Sequence, residues 1–181
     1  MLGMTLSFCR RVVRSPSFVI QKKQNGRMPP RSTIAVTNEN HFRYVNTAVM
    51  RRIAARIVRI VKGEAAQIEI IFVNARRMRQ LNKRFTGRER ATDVLSFRIE
   101  RDGKRPIAQI IISSDAAAYN APAFGATYEE ELVRYVAHGL LHFYGYRDAK
   151  RSERARMSDR EDTILRSLCE KEDLSRVSMR R

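Results

Sequence analysis

The sequence lacks several features by which whole classes of protein are recognised. It has no tryptophan and only two cysteines, Cys9 and Cys169, which stand near opposite ends of the 181 residues. That excludes a disulfide framework and a cysteine-rich zinc site, and it favours the reducing cytoplasm. No run of about 18 apolar residues is present, so we expect no transmembrane helix and no membrane partner. The G-x-x-x-x-G-K-[ST] phosphate loop, the G-x-S-x-G elbow and the G-x-G-x-x-G fingerprint are also missing, and the last absence excludes a classical dinucleotide cofactor site.

Acidic residues are also few relative to basic residues. There are 36 Lys and Arg against 19 Asp and Glu, which gives a formal net charge of +17. A hydrophobic fraction of 43% is typical of a globular chain and excludes wholly disordered and collagen-like classes. The charge predicts a polyanionic partner, because Lys and Arg that neutralise phosphates release counterions and so gain affinity. The alternative is a basic surface that only keeps the protein in solution.

The first 38 residues contain no acid, and the first carboxylate is Glu39. Their Arg- and Ser-rich composition is typical of an organellar transit peptide, but a disordered basic arm or a later start at Met28 fits equally well. We therefore expect three parts: a basic N-terminal extension (1–32), a single domain (33–170) and a basic C-terminal tail that looks frayed (171–181). Cytoplasmic localisation is expected, with organellar import as the alternative.

Hydrophobic periodicity predicts an α+β domain, a small mixed sheet of about four strands flanked by helices. The predicted strands are residues 33–37, 67–73, 91–100 and 107–113, with a hairpin turn at 101–104. The first helix follows His41 and ends at Gly63, and the second runs from an Asn74 N-cap to Phe85. Helices then begin near Ser114, near Tyr128 and near Ser152, the last ending at Cys169.

Two acid-poor basic runs, 41–62 and 76–90, fall on the first two predicted helices. Both keep apolar residues at helical spacing, so their charges face solvent. The stripes are Phe42, Val45, Val49, Ile53, Ile57 and Ile60 in the first run, and Met78, Leu81 and Phe85 in the second. These faces predict a phosphate-binding surface, the alternative being merely solvated charge.

Two of the three histidines, His138 and His142, lie four residues apart on one predicted helix. At a rise of 1.5 Å per residue they are separated by roughly 6 Å along the axis on one face, close enough to bind a single ion. Gly145 permits the chain to turn back, so that Asp148, three residues on, approaches the same ion. Without that turn, the pair is equally compatible with a purely structural role. His41 is predicted to be an exposed first-turn residue.

Two imidazoles and one carboxylate leave a coordination position for water, as catalytic metal sites do. A protease of the H-E-x-x-H type is disfavoured, because Gly139 stands where its general base would be. A non-haem iron oxygenase also uses such ligands. Nothing else in the sequence marks an oxidant or cosubstrate site.

With its HGLLHFYGYRD, LNKRF and ATDVLSF segments, the chain resembles the YbeY family of metal-dependent endoribonucleases and rRNA maturation factors, from about Ile34 to Leu168. The resemblance implies a small α+β domain with a metal site on a central helix, one Zn²⁺ ion, and ligands His138, His142 and Asp148 that act through bound water. It also implies cleavage of single-stranded RNA, processing of the small-subunit rRNA 3′ end, and association with ribosomes or the small ribosomal subunit.

Three positions depart from the family pattern. Asp148 replaces the usual histidine, which lowers the net charge of the loaded site by one unit and predicts a higher pH optimum or a different metal preference. Thr86 stands where the family tends to carry a phosphate-binding arginine. Ala108 and Gln109 replace the usual G-D before Ile110.

Arg84, Arg88 and Arg90 are the expected phosphate contacts, and Ser96 is a further candidate for RNA binding. Thr92, Asp93 and Ser96 lie on the strand that borders the cleft in relatives, where they orient the metal shell, contact RNA or only cap a strand end. Tyr144 and Tyr146 offer base stacking or, equally, core packing. The expected activity is metal-assisted phosphodiester cleavage. The alternatives are a non-catalytic RNA-binding assembly factor with a structural metal, and a hydrolase of another phosphoester.

Overall fold

The computed structural model describes residues 32–87, 89, 92–102 and 104–179. The predicted N-terminal extension therefore lies outside the described residues except for Ser32. Arg88 and Arg90 also lie outside them.

The chain forms four strands and five helices in the described part, and the predicted α+β class is confirmed. The strands are β1 (Thr33–Asn38), β2 (Gln67–Val73), β3 (Val94–Ile99) and β4 (Ile107–Ser113). They form one mixed sheet in the order β1-β2-β4-β3, in which β1, β2 and β4 run parallel and β3 runs antiparallel to β4. The helices are α1 (Thr47–Val61), α2 (Ala75–Thr86), α3 (Ser114–Asn120), α4 (Tyr128–Phe143) and α5 (Arg151–Cys169).

Helices cover both faces of the sheet, but unequally. The main core lies between one face and helices α1, α4 and α5, and Ile110 and Ile112 of β4 belong to it. The intervening Ile111 points to the other face, because side chains alternate along a strand, and there it packs with Met78 of α2. Helix α4 is thus held in the thicker layer, with α2 on the opposite side of the sheet.

The first helix begins six residues later than His41, at Thr47, where the side chain of Asn46 accepts a hydrogen bond from the Val49 amide. His41 is exposed as predicted, but it lies in a turn. Phe42, predicted to belong to the apolar stripe, is 90% exposed. That assignment was wrong because Asn40, through its side chain, bonds the Phe42 amide and shapes residues 40–42 as a turn.

The predicted cap at Gly63 was also wrong. Lys62 adopts the left-handed conformation, with φ of 53°, and closes α1. Gly63 serves a close approach, because a Cβ there would lie 2.1 Å from Cζ of Tyr144.

The prediction of a frayed C-terminal tail was wrong for the described residues 174–177. Residues Leu174–Val177 form a 3-10 turn in which Leu174 and Val177 are buried. The Asn46 amide donates to the Val177 carbonyl at 2.7 Å. Apolar burial together with this hydrogen bond holds the segment against the start of α1. None of the helices in the described ranges combines the length and apolar character needed to span a membrane.

Candidate metal centre

Helix α4 is fixed at both ends, which sets the position of its histidines. At its start Thr127 and Glu130 form a reciprocal capping box, and three glutamates occupy the first turn, where the helix dipole favours negative charge. At its end Gly145 adopts φ of 93°, a left-handed conformation that the glycine makes accessible. The chain then turns back toward the helix, as the sequence predicted.

Gly139 lets α4 lie close to the sheet. A Cβ at this position would lie 2.5 Å from Cγ2 of Ile110, so any larger residue would push the helix outward. Ser96 of β3 donates its hydroxyl to the Gly139 carbonyl at 2.9 Å. The side chain of Ser96 thus ties the strand to the helix between the two histidines, and its contact with RNA stays a prediction.

The structure brings the three predicted ligands together. Each of His138, His142 and Asp148 offers one ligand atom, and the three atoms all lie within 4.8 Å of one another. Nε2 of His142 and Oδ2 of Asp148 are 3.8 Å apart. Two imidazoles and a carboxylate converging in this way are donors that Zn²⁺ and related divalent ions accept.

Hydrogen bonds fix which nitrogen of each ring faces the centre. Nδ1 of His138 lies 2.6 Å from Oε1 of Glu161, and Nδ1 of His142 lies 3.0 Å from the Tyr146 carbonyl. Both partners accept, so each Nδ1 carries the proton and each Nε2 presents a lone pair. Nε2 of His138 is buried and has no hydrogen-bond partner among the described residues. A buried, unpartnered lone pair beside two further donors fits a metal ion.

Electrostatics favours the neutral imidazole that metal binding requires. Burial lowers the pKa of His142, and the neighbouring His138 lowers it further, while the Asp148 carboxylate opposes both effects. At neutral pH His142 is therefore unprotonated and available as a ligand.

Glu161, which orients His138, was not identified from the sequence. It is 7% exposed and lies on the apolar face of α5 with Met157, Ile164 and Leu165. The sequence did contain a signal for Glu161: an acid on the apolar face of a helix is expected to be paired or functional when it is buried. Arg134 of α4 is the counter-charge: its Nη1 lies 3.5 Å from Oε2 of Glu161 and donates to Asp162 at 2.7 Å.

The predicted phosphate contacts lie on a different element. Arg84 is exposed near the end of α2, with its guanidinium 5.9 Å from the centre of the Phe85 ring. Because α2 packs on the sheet face opposite α4, the structure does not bring Arg84 into the histidine cluster. The hydroxyl of Thr86 donates to the Asn82 carbonyl at 2.8 Å, within its own helix. Thr92 is buried, and its hydroxyl donates to the Val94 carbonyl at 3.4 Å, a contact within the strand end.

Comparison with known proteins agrees with this architecture. The family model for Endoribonuclease YbeY matches residues 35–169. An Endoribonuclease YbeY of Chlorobium phaeovibrioides is 37% identical over 106 residues, which cover 59% of this chain and 71% of the relative. One of Chlorobaculum tepidum is 33% identical over 128 residues, covering 68% of this chain and 93% of the relative.

A solved structure is similar in fold. The solution structure of a Thermotoga maritima protein superposes with a TM-score of 0.55 at 24% identity, covering 75% of this chain and 89% of that protein. The family match extends from β1 to the last residue of α5, and it includes the strand, the helix and the turn that assemble the histidine cluster. The chain belongs to the YbeY family.

Proposed function

We propose that this protein is a metal-dependent endoribonuclease that cleaves single-stranded RNA and matures the 3′ end of small-subunit rRNA. Relatives that match most of the described domain carry the name Endoribonuclease. The net charge of +17 is suited to a polyanionic substrate. Association with the small ribosomal subunit in the cytoplasm belongs to the same proposal.

One observation carries the proposal: three donors converge in a partly buried position, and one of them, the buried Nε2 of His138, has no partner in the described part of the chain. His138, His142 and Asp148 would hold the ion. Zn²⁺ is the ion we propose, because two imidazoles and one carboxylate form a ligand set typical of catalytic zinc sites. When bound, it supplies activation of water and polarisation of a phosphoryl oxygen.

The protein's own groups orient the imidazoles and bind the RNA backbone. Glu161 and the Tyr146 carbonyl hold the protons on Nδ1 of the two imidazoles, so both rings keep their lone pairs directed at the centre. Arg84, Arg88 and Arg90 are proposed to hold the RNA backbone.

A non-catalytic assembly factor is the second candidate, and Thr86 is the observation that favours it. Its hydroxyl is engaged with Asn82 of its own helix, where the family tends to carry an arginine. In that case the metal would be structural, and its removal would unfold the protein instead of removing only turnover.

The first experiment compares wild type with His142→Ala, purified identically, on a labelled single-stranded RNA with and without added Zn²⁺. Cleavage by the wild type alone supports the endoribonuclease. If neither protein cleaves while both bind RNA in low salt, the assembly factor is favoured. Thermal unfolding after chelation separates the two roles of the metal, since removal of a structural ion lowers Tm strongly. Sedimentation with small subunits tests the ribosome association.

A further inference from the structure

A cleft of about 340 Å³ lies at the turn between α4 and α5, the turn that carries Asp148. This volume lies within the range of small-molecule sites. It is bounded by the turn after α4 and the first turns of α5, and the residues that line it are Tyr144, Gly145, Tyr146, Arg147, Glu153 and Arg156.

Part of the cleft is formed by the turn that joins two of the candidate ligands, His142 and Asp148. The Tyr146 carbonyl that lines this turn accepts the Nδ1 proton of His142, and Asp148 follows two residues later. A ligand in the cleft would therefore contact the turn that joins His142 to Asp148.

Two exposed arginines give the cleft its positive charge. Arg147 and Arg156 are exposed, and neither forms an ion pair or a side-chain hydrogen bond with the residues that the structure describes. By contrast, Arg134 and Arg98 are each bound to carboxylates. The one acid in the cleft, Glu153, accepts a hydrogen bond from the Lys150 amide as part of the α5 cap.

The aromatic side of the cleft is rigid. The Tyr144 ring lies against Gly63 and packs edge-on to Phe143 at 4.9 Å between ring centres. Its hydroxyl donates to the Glu64 carbonyl at 3.3 Å. Tyr146 packs partly buried against the main core. Fixed aromatic rings beside free guanidinium groups are the combination that binds the bases and phosphates of single-stranded nucleic acids.

We propose that this cleft binds one nucleotide of the RNA chain adjacent to the phosphate at the metal centre. Its base lies against the tyrosine rings, and Arg147 and Arg156 contact its phosphate. This inference rests on the proposed function and adds a nucleotide subsite to it. The resemblance and the comparisons assign nothing to Arg147 or Arg156.

The test uses the double variant Arg147→Ala/Arg156→Ala and the control Lys171→Ala/Arg176→Ala, which removes the same charge from exposed positions. Lys171 is fifteen residues beyond Arg156 along the direction of α5, roughly 20 Å away. Binding of a fluorescein-labelled oligouridylate is measured between 50 and 300 mM salt in the His142→Ala background, and KM and kcat are measured in the otherwise native protein.

The cleft variant is expected to raise KM about tenfold with little change in kcat. It should also flatten the slope of log Kd against log salt by about 0.7, because one phosphate of the single strand is no longer neutralised. The control should leave both quantities near wild type. Amide NMR signals of Gly145 and Arg147 should shift with uridine monophosphate and much less with inorganic phosphate.

Equal slopes for the two double variants would overturn the subsite, whether or not the wild type cleaves RNA. A slope change confined to the cleft variant supports it even if no cleavage occurs, in which case only the nuclease proposal fails. Competition by an acidic peptide as strong as by the oligouridylate would overturn the nucleotide specificity and leave an anion site of another kind.

Discussion

The two sides of the candidate metal centre are supported by different contacts. His138 lies on α4, and its Nδ1 is hydrogen-bonded to Glu161 of α5. Arg134 of α4 forms an ion pair with the same Glu161. Asp148 lies in the turn between α4 and α5, and the contact that secures its backbone is a hydrogen bond of 3.1 Å from Arg154 to its carbonyl. His142 joins the two, because it lies on the helix but is oriented by the Tyr146 carbonyl of the turn.

This difference predicts which of the candidate ligands tolerates substitution. Changing a ligand on α4 disturbs a buried helix face, an interhelical carboxylate and its arginine together. Changing the ligand in the turn leaves all of these in place. Asp148, where the resemblance implies a histidine in the family, is the one candidate ligand that lies outside a helix.

The largest effect is expected from His138→Ala. It removes a ligand and leaves Glu161 buried without its imidazole, so metal affinity should fall by more than about 100-fold. Asp148→Ala should cost less, because only the turn is altered. Metal content by mass spectrometry and RNA cleavage are the measurements, with His41→Ala as the control. Equal losses in the His138 and Asp148 variants would remove the distinction between the two sides.

Glu161→Gln should weaken metal binding by about 10- to 100-fold, because the amide no longer stabilises the Nδ1 proton of His138 as a carboxylate does. The matched control is Glu172→Gln, which alters a carboxylate that pairs with Arg52 and Arg56 far from the histidines. Chelator competition gives the affinity and thermal unfolding gives the stability. A similar loss of affinity in both variants would mean that Glu161 acts only through general stability.

Asp148→His should shift the pH profile of cleavage to lower pH. The loaded site then carries one more positive charge, which makes a bound water more acidic. Initial rates between pH 5.5 and 9 at saturating Zn²⁺ test this, with Asp159→His as an exposed control outside the cluster. An unchanged profile, or a shift to higher pH, would contradict the electrostatic account of this departure.

The smallest expected effect concerns stability, which a buried carboxyl of α4 lowers. Glu131, one turn before Arg134, is 3% exposed, and burial raises its pKa above the ordinary carboxyl value of 4.5. Its ionised form is therefore disfavoured in the folded state, so it lowers stability above that pH and has no effect where it is protonated in both states.

Glu131→Gln should accordingly raise stability at pH 7 by about 1 kcal/mol, or roughly 2–4 °C in Tm. The gain should shrink as the pH falls toward 4. Glu170→Gln, which changes an exposed carboxyl, is the control for net charge. A gain that persists unchanged at pH 4 would show that the cause is packing and not ionisation.

The sheet, the helix pair and the position of Asp148 could be predicted because each depends on local pattern. Alternating or continuous apolar runs mark strands, a four-residue spacing places His138 and His142 on one face, and Gly145 marks the turn. Glu161 was missed because it meets His138 across two helices, 23 residues apart in sequence. Phe42 was misplaced because a side-chain hydrogen bond overrode helical periodicity.

Because the chain is synthesised from its N-terminus, the residues that support the candidate centre emerge after the histidines do. Strands β1 to β4 and the two histidines of α4 leave the ribosome before Glu161 of α5 does, and Val177, whose carbonyl accepts from the Asn46 amide, emerges later still. A nascent chain that is still being elongated therefore lacks the carboxylate that orients His138 and the segment that closes against α1. The candidate centre gains this support only after α5 has been synthesised, so a nascent chain that ends before α5 contains the histidines without the carboxylate that orients His138.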